Sequence, residues 1–482
     1  MTPADNPVKT VNPGGPSAQP KPHTRGELRA SGYKPLSIRE EMRNNLIALI
    51  KARKPIFNGI IGYDNTVIPQ VENAVLSGQN IIFLGERGQA KSRVMRLLAG
   101  LLDEAIPVIR GCEINDNPFS PICKSCREKI ALEGDATEIV WLSRQDRYGE
   151  KLATPDTTIA DLIGDVDPIK VAEGRYLSDE LTMHYGIIPR TNRGIFCINE
   201  LPDLMEKLQV GLFNLLEEAD IQIKGYRVRL PLDIILVASA NPEDYTSRGR
   251  IITPLKDRFG AQIRTHYPAT IKDEIAIVEQ EWQRFNDGDV SFYVPDYIKE
   301  VIAEITHLAR KSSDISQRSG VSVRVSIANM ETVVANAIRR AIMLGEKLAV
   351  PRISDLPYII ASTTGKMEME GFEDKNEQKV IDDFIKKAVL AVFNRYFQFD
   401  ELEPVVKQFN GGFTVETSDN MNAKSYVRYV KEVPGLAKAV KKIIDTETPE
   451  TLASVVEFIL EGLHLNKRLN KTKVAGKTVY RH

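Results

Sequence analysis

Short apolar runs alternate with helical repeats over the first half of the chain. Five runs predict buried strands: 81–84, 138–142, 195–198, the run DIILVASAN that ends at Asn241, and QIRTHYP. The segments between them carry apolar residues at helical spacing, as in LMEKLQVGLFNLLEEAD. Strands that alternate with helices predict a parallel, doubly wound sheet of five strands, so the predicted fold class is α/β.

The first of these runs leads into a predicted phosphate-binding loop. A strand, a turn with two glycines and a helix follow one another, as in a P-loop. Backbone N–H groups of such a turn form an anion site, and the helix N-terminus adds partial positive charge. The predicted nucleotide-binding residues are Gly85, Glu86, Arg87, Gly88, Gln89, Ala90, Lys91 and Ser92. We expect Lys91 to contact the β- and γ-phosphates of ATP and Ser92 to bind Mg²⁺.

This loop departs from the usual pattern at Ala90, where most P-loops have glycine before the lysine. If the position has a positive φ angle, alanine costs roughly 1 kcal/mol of strain. If its φ angle is helical, alanine costs nothing and favours the helix. The alternative to a P-loop is an ordinary strand–turn–helix with a chance Gly-x-x-Gly, and the order of the three elements argues against it.

Two further strand ends carry residues suited to nucleotide hydrolysis. The run 195–198 ends in Asn199 and Glu200, in the manner of a Walker B motif. Glu200 is expected to activate water, whereas the uncharged Asn199 can contact Mg²⁺ through a bound water. Asn241 can contact the γ-phosphate or the attacking water. The alternative is a strand that ends in a solvated glutamate, but three strand ends with suitable residues favour one shared site.

The pattern divides the chain into four predicted regions. Residues 1–36, rich in Pro, Gly, Ser, Thr and Lys, are expected to be a disordered tail, and 37–268 to form the α/β core. Helical repeats predict a lid at 269–365, with Arg324 at the start of its third helix, and a mostly helical extension at 366–482. The last residues, 465–482, carry six Lys or Arg and no acid, which predicts a solvated tail or, alternatively, a segment that binds an acidic partner.

Composition narrows the class of protein. The net charge is −1, so no overall field favours nucleic acid or an anionic membrane. No apolar run is long enough for a transmembrane helix, and the N-terminus lacks the apolar region of a signal peptide. Four cysteines do not suggest a disulfide scaffold, and the cytoplasm is the expected location.

Three of these cysteines, Cys112, Cys123 and Cys126, lie within fifteen residues of sequence. The Cys-x-x-Cys spacing is typical of metal ligands. A closed zinc site needs four ligands, and no fourth cysteine or histidine lies nearby in the sequence. A loop without metal is therefore the favoured interpretation, with structural zinc as the alternative.

Taken together, six segments resemble the AAA+ ATPases of the magnesium chelatase and MoxR clade. They occur in the order GERGQAKS, RTNRGIFCINELPDL, LLEEADIQIKGYRVRLP, VASANPEDY, LKDRFG and SVRVSIA. The resemblance covers about residues 37–365 and is greatest to the ATPase subunit of magnesium chelatase and its uncharacterised bacterial relatives. The ordered set is specific for the clade and much less specific for chelatase activity.

The resemblance implies a role for each motif. Lys91 and Ser92 match Walker A, Glu200 matches the Walker B glutamate, and Asn241 matches the sensor of the γ-phosphate. Residues 221–230 match a hairpin of the clade, and 156–190 match its inserted helical region.

Two arginines complete the implied catalytic set. Arg258 matches an arginine finger that acts on the neighbouring subunit's nucleotide, and Arg324 matches the sensor arginine of the lid. The sequence departs from the clade at Asn199, which replaces aspartate and bears on Mg²⁺ binding more than on nucleotide binding. The second departure, Ala90, is tolerated in MoxR-type relatives.

The implied function is that of an ATP-hydrolysing ring motor that remodels a partner protein, with ATP and Mg²⁺ as its ligands. The ring is expected to be homo-oligomeric, a hexamer. The partner is expected to be a separate protein with an integrin-like, von Willebrand A type domain, because no D-x-S-x-S motif occurs in the C-terminal region.

Three alternative functions stay open at this point. The chain could be a true magnesium chelatase subunit, which inserts metal into porphyrin. It could be a DNA-dependent motor with Lys224, Arg227 and Arg229 on phosphates, although the near-neutral chain argues against nucleic acid. It could be a nucleotide-binding scaffold with weak turnover, if Asn199 and Ala90 impair the site.

Overall fold

The computed structural model describes residues 21–482 except 168, 170–171, 173–179, 223–228, 242–249, 285–287, 289, 317–319, 370–376, 446–447 and 475. The described strands are, in chain order, β1 (Ile81–Leu84), β2 (Ala105–Ile109), β3 (Ile139–Ser143), β4 (Tyr148–Leu152), β5 (Gly164–Val166), β6 (Met183–Tyr185), β7 (Gly194–Asn199), β8 (Asp220–Gln222), β9 (Arg229–Pro231), β10 (Ile234–Ala240), β11 (Ala261–Arg264), β12 (Ser291–Phe292), β13 (Leu348–Ala349), β14 (Val415–Thr417), β15 (Asn470–Val474) and β16 (Lys477–Arg481). None of the helices in the described part of the chain is long and apolar enough to cross a membrane.

Five parallel strands form the central sheet, in the order β11–β1–β10–β7–β4. Leu84 at the end of β1 lies opposite Ala240 of β10 and Arg264 of β11. Because all five strands run in one direction, the carboxyl ends of β1, β7 and β10 meet at one edge of the sheet. The predicted α/β fold with a five-stranded parallel sheet is confirmed.

Successive residues of the central strands point to opposite faces of this sheet, and both faces are covered. One apolar cluster contains Ile81, Phe83 and Val237 and packs on the helices Ile38–Lys51, Val67–Leu76 and Lys91–Leu97. The other contains Ile82, Phe196 and Leu236 and packs on the later part of the core. A sheet buried on both faces explains why its strands are continuous apolar runs rather than alternating ones.

The edge strand of the sheet is not the one the sequence predicts. The predicted run 138–142 corresponds to β3, which pairs antiparallel with β2 and lies outside the central sheet. The edge position belongs to β4, with Gly149 opposite Phe196 of β7. The sequence YGEKL of β4 carries few apolar residues because an edge strand is only partly buried, so hydrophobic periodicity could not identify it.

Short helices complete the described part of the core: Arg25–Ala30, Lys124–Glu133, Ile159–Leu162, Ile187–Arg190, Glu206–Gly211, Phe213–Glu217 and Thr253–Asp257. The single amphipathic helix predicted after Glu200 is divided in two at Leu212. The predicted hairpin 221–230 begins and ends as β8 and β9, and its tip, with Lys224 and Arg227, lies outside the described residues. Arg229 forms an ion pair with Asp220 at the base of the hairpin.

The region predicted as a lid contains the helices Ile271–Glu281, Asp296–Lys311 and Val323–Leu344. Glu274, fully buried, accepts hydrogen bonds from Arg310 at 2.8 and 3.1 Å and from Ser326 at 2.7 Å. One carboxylate therefore ties all three lid helices together.

The described part of the C-terminal region continues with the helices Glu377–Tyr396, Glu403–Asn410, Lys424–Glu432, Leu436–Ile443 and Pro449–Leu465. They share one apolar cluster with the lid, in which the rings of Tyr297 and Phe458 stack with centroids 4.3 Å apart. The predicted division at residue 365 therefore does not correspond to a break in the apolar core.

Near both ends of the chain, the described residues form structure where the sequence predicts a tail. Residues 1–20 lie outside the described residues, but Thr24 caps the helix Arg25–Ala30, which buries Leu28. The basic end is not a solvated tail, because β15 and β16 form a hairpin that pairs with β14. Lys471 of this hairpin donates a hydrogen bond of 2.7 Å to the buried Glu461. The positive charges thus partly serve to neutralise a carboxylate that lies outside the basic segment.

Candidate nucleotide-binding site

The turn after β1 has the backbone of a P-loop. Gly88 has a φ angle of +76°, and a Cβ added there would lie 1.8 Å from Ser322 Oγ at the start of the lid helix Val323–Leu344. A Cβ on Gly85 would lie 1.9 Å from Thr265 Oγ1. Gln89 Oε1 accepts hydrogen bonds from the Glu86 N–H at 3.1 Å and from Thr265 Oγ1 at 2.7 Å. Close contacts therefore require both glycines, and the Gln89 side chain stabilises the loop through these hydrogen bonds.

The structure decides between the two interpretations of Ala90. Its φ and ψ angles are 55° and 15°, in the left-handed region, and it caps the helix Lys91–Leu97. An alanine in this region is strained by roughly 1 kcal/mol compared with glycine. The departure from the usual P-loop sequence therefore carries a cost, although the backbone shape is kept.

Lys91 joins the three strand ends that the sequence singled out. Its ammonium is buried and donates hydrogen bonds of 2.6 Å to Asn241 Oδ1 and 2.8 Å to the Glu86 carbonyl. The Asn241 amide in turn donates 2.9 Å to Glu200 Oε2. The predicted cluster of Lys91, Glu200 and Asn241 is thus one connected hydrogen-bond network at the carboxyl edge of the sheet.

Asn199 lies beside the start of the P-loop helix. Its Oδ1 accepts hydrogen bonds from Ser92 Oγ at 3.0 Å and from Ser239 Oγ at 3.2 Å. Its amide N–H₂ group donates to Glu150 Oε1. The carboxylate can only accept a hydrogen bond, so it must face the N–H₂ group, and the two hydroxyl groups face the oxygen. The orientation of the amide is therefore defined.

Glu150 is a residue of this site that the sequence interpretation missed. It lies on the edge strand β4, and Arg96 binds it through two hydrogen bonds of 2.8 Å each. These bonds hold the pKa of the Glu150 carboxyl below its ordinary value of 4.5, although burial opposes them. No local pattern identifies Glu150, because its contact with Asn199 depends on the pairing of β4 with β7.

Glu200 directly follows β7 and has a φ angle of 54°. Its backbone N–H donates 3.1 Å to Ser239 Oγ, the same hydroxyl that donates to Asn199. A glutamate in the left-handed region is strained, and the surrounding contacts must hold it. The turn ends the strand and presents the Glu200 carboxylate to Asn241.

A cavity of about 190 Å³ lies between the P-loop and the lid. It is lined by residues of the segment before β1, the P-loop, the segment after β11 and the lid, among them Ile61, Tyr63, Ala90, His266, Ile277 and Arg324. Tyr63 donates hydrogen bonds to the Gln89 carbonyl at 2.8 Å and to the His266 carbonyl at 3.0 Å. The structure therefore brings Arg324 of the lid to the same cavity as the P-loop.

Arg258, by contrast, is not part of this cluster. It precedes β11, so it lies toward the amino ends of the strands, whereas the P-loop follows a carboxyl end. Its guanidinium bonds to Glu217 at 2.7 and 2.9 Å and lies over the Phe213 ring, 4.6 Å from the centroid. Within this chain, Arg258 therefore contacts the core and not the P-loop.

The residues present fit ATP with Mg²⁺. The oxygens of Ser92, Asn199 and Glu200 are the hard donors that Mg²⁺ prefers. The close contacts at Gly85 and Gly88 preserve a side-chain-free turn whose N–H groups can bind phosphate. Asn199 contributes no negative charge, so Glu200 is the one carboxylate among these three donors.

The fold is an α/β P-loop fold of the AAA+ type with a helical lid, and the residues around Lys91 form its candidate nucleotide-binding site. No family model matches the chain. It is 28% identical over 250 residues to a protein named magnesium-chelatase subunit ChlI homolog from Methanocaldococcus jannaschii, with 49% of this chain and 61% of that protein covered. It is 25% identical over 381 residues to the magnesium-chelatase subunit ChlI of Nostoc sp., covering 75% of this chain and 95% of that protein.

Solved structures give a weaker likeness. The cryo-EM complex between subunits BchI and BchD of magnesium chelatase matches at a TM-score of 0.34 and 18% identity, covering 67% of this chain and 98% of that one. A Thermotoga maritima RuvB mutant matches at a TM-score of 0.32 and 13% identity, covering 87% and 93%. The sequence relatives carry the names of magnesium-chelatase subunits, so the predicted resemblance to the AAA+ ATPases of this clade is confirmed.

Proposed function

We propose that this chain binds and hydrolyses ATP with Mg²⁺ as one subunit of a homo-oligomeric ring, and that the cycle of hydrolysis remodels a partner protein. The observation that carries the proposal is the hydrogen-bond network from Lys91 through Asn241 to Glu200, beside the Ser92–Asn199 pair. A solvated strand end would not need a buried ammonium and two amides arranged around the same turn.

The chain's own residues divide the chemistry between them. Mg²⁺-bound ATP supplies an electrophilic γ-phosphorus. Lys91 would exchange its hydrogen bond to Asn241 for phosphate oxygens, and Asn241 would then contact the γ-phosphate or the attacking water. Glu200 would orient that water and accept its proton, and Asn241, whose amide already donates to this carboxylate, would hold it in place.

Two arginines would couple this chemistry to movement. Arg324 starts the first turn of a lid helix and lines the P-loop cavity, so a nucleotide there would change its partners and the angle of the lid. Arg258 would leave Glu217 and reach the nucleotide of a neighbouring subunit, an effect that is worth roughly 10³–10⁵ in rate in other NTPases. Assembly of the ring would then be required for turnover.

The partner is a further part of this proposal. The motifs resemble chelatase ATPase subunits, which work with a protein that carries a von Willebrand A type domain, and we propose a partner of this kind. The names of the sequence relatives favour one second candidate, a subunit that drives Mg²⁺ insertion into a porphyrin. The two candidates share the ATP site and differ in the client.

The proposal is tested with two substitutions at the network and one control. Lys91→Ala should abolish ATP binding measured by calorimetry, because it removes the ammonium of the loop. Glu200→Gln should keep ATP binding and stop phosphate release, because the amide retains the shape but cannot accept a proton. Lys54→Ala, at an exposed lysine outside the site, should behave as the unmodified chain.

Two outcomes would contradict the proposal. Unchanged ATP affinity in Lys91→Ala would exclude this P-loop as the binding site. Equal, negligible turnover in the unmodified chain and Glu200→Gln would favour a nucleotide-binding scaffold. If turnover is present, ATP-loaded Glu200→Gln used as bait should capture a partner that Lys91→Ala does not, and magnesium insertion assays with that partner distinguish the two candidates.

A further inference from the structure

The structure brings together four metal-ligating side chains that are separate from the nucleotide site. The sulfur atoms of Cys112, Cys123 and Cys126 and a carboxylate oxygen of Asp116 all lie within 4.8 Å of one another. Ligands about 3.7 Å apart surround a tetrahedral zinc ion, given Zn–S distances of about 2.3 Å. A small contraction of the cluster is therefore enough to complete a coordination shell.

Asp116 supplies the fourth donor, and it is neither a cysteine nor a histidine. It is fully buried, and its Oδ2 accepts a hydrogen bond of 3.0 Å from the Cys123 N–H. Its Oδ1 has no hydrogen-bond partner among the described residues. A buried carboxylate oxygen without a partner is costly, and a cation among the three sulfurs would remove that cost. One anchored oxygen and one open oxygen are what a monodentate metal ligand requires.

Backbone N–H groups already point at the sulfurs. The Asp116 N–H lies 3.3 Å from Cys112 Sγ, and the Cys126 N–H lies 3.4 Å from Cys123 Sγ. Cys123 also caps the ten-residue helix Lys124–Glu133, whose N-terminus carries partial positive charge. Both features stabilise thiolates, the form of cysteine that binds metal.

From this geometry we propose that Cys112, Asp116, Cys123 and Cys126 bind one structural zinc ion. Three soft thiolates select Zn²⁺ over Mg²⁺, and four protein ligands leave no open position for catalysis. The proposed Zn²⁺ site offers three sulfur donors, whereas the proposed Mg²⁺ site offers oxygen donors, so the two sites select different ions.

The loop 112–126, which carries the proposed zinc ligands, contacts the segment that leads into β7. Asn115 donates 2.7 Å to the Arg190 carbonyl, and the Asn192 amide donates 3.0 Å to the Ile114 carbonyl. Residues 190–193 lead directly into β7, whose carboxyl end carries Asn199 and Glu200. The metal would thus fix the loop 112–126 and, through it, the start of the strand that positions the catalytic carboxylate.

The proposal is tested by elemental analysis of the full chain purified under reducing conditions without chelator. We expect one zinc per chain, retained in Lys91→Ala and in Cys197→Ala. Cys197 is a matched control because it is a buried cysteine on β7 outside the cluster. Cys123→Ser and Asp116→Asn should lower the zinc content at least tenfold.

Because a ligand variant can fail to fold, the unmodified chain provides a second measurement. Titration with a thiol-specific mercurial should release one zinc as three thiols react, and Co²⁺ added to metal-free chain should give the visible bands of tetrahedral thiolate coordination. Absence of zinc together with absence of these bands overturns the proposal. A Cys123–Cys126 disulfide in freshly isolated chain, or equal zinc in Cys123→Ser, overturns it as well.

Discussion

The side-chain amide of Asn199 donates a hydrogen bond to the carboxylate of Glu150. Glu150 is fixed in turn by the two hydrogen bonds from Arg96, so the carboxylate cannot easily turn away. An aspartate in place of Asn199 would face this carboxylate with a second negative charge. The neighbour on the edge strand thus gives a physical reason for an amide at position 199.

We therefore predict that Asn199→Asp, which introduces the residue usual in the clade, lowers the free energy of unfolding of the Mg²⁺-free chain. The substitution removes the hydrogen bond to Glu150 and adds repulsion between like charges, a loss of about 1–3 kcal/mol in the free energy of unfolding. Denaturant unfolding in the presence of chelator measures this loss.

The matched control for this prediction is the double variant Asn199→Asp with Glu150→Gln. Glutamine has no charge and can donate to the new aspartate, so most of the lost stability should return. A single variant as stable as the unmodified chain would show that Glu150 does not determine the choice of residue at 199.

Ala90→Gly should stabilise the chain by about 1 kcal/mol, because glycine adopts the observed φ angle of 55° without strain. Ala48→Gly is the matched control, since the same exchange at an exposed position in the helix Ile38–Lys51 should destabilise by about 0.5–1 kcal/mol. Thermal unfolding compares the two variants. If both lower the unfolding temperature, the strain at Ala90 is absent in solution.

Arg258 should act on the nucleotide of a neighbouring subunit. Chains with Arg258→Ala and chains with Lys91→Ala should each be inactive alone, and mixing them should restore part of the ATPase activity. A mixed ring places intact P-loops beside intact arginines. No recovery in mixtures that demonstrably form rings would exclude this role.

A second variant separates this role from a structural one. Glu217 is the partner of Arg258 within the chain. If Arg258 only stabilises the core, Glu217→Ala should reduce activity as much as Arg258→Ala. If Arg258 acts between subunits, Glu217→Ala should retain activity, because the guanidinium is still present.

The free energy of unfolding should decrease at acid pH, and Glu274 in the lid should be one cause. Burial raises the pKa of this carboxyl, but His307, Arg310 and Ser326 outweigh burial and hold the pKa below its ordinary value of 4.5. A lowered pKa means that the carboxylate stabilises the folded chain above about pH 4.5 and that this stability is lost as the pH falls through the lowered pKa.

Glu274→Gln should therefore cost about 3–5 kcal/mol near pH 7, because it leaves Arg310 without its buried charge partner. The difference from the unmodified chain should shrink as the pH falls below 4.5. Asp383→Asn, which breaks an exposed ion pair with Lys387, is the control and should change little. Unfolding monitored from pH 3 to 7 tests both; a difference independent of pH would contradict the prediction.

Local signals in the sequence were enough to predict β1, β7 and β10 and the turns that follow them at the candidate nucleotide site. The apolar runs of β1, β7 and β10 are buried on both faces of the sheet, so their pattern does not depend on distant partners. The turn 85–90 and the residues at positions 199, 200 and 241 follow directly from such runs. Parallel strands end at one edge of a sheet, so the sequence alone predicts that Lys91, Glu200 and Asn241 lie together.

Features that depend on distant pairing became visible only in the folded chain. Glu150 reaches Asn199 because the polar strand β4 pairs with β7. The basic residues near the end of the chain form a hairpin, which pairs with β14 and donates a hydrogen bond from Lys471 to Glu461. Asp116 joins three cysteines because a turn folds its carboxylate back onto them. In each case the contact forms through strand pairing or through polar side chains, and hydrophobic periodicity carries no record of such contacts.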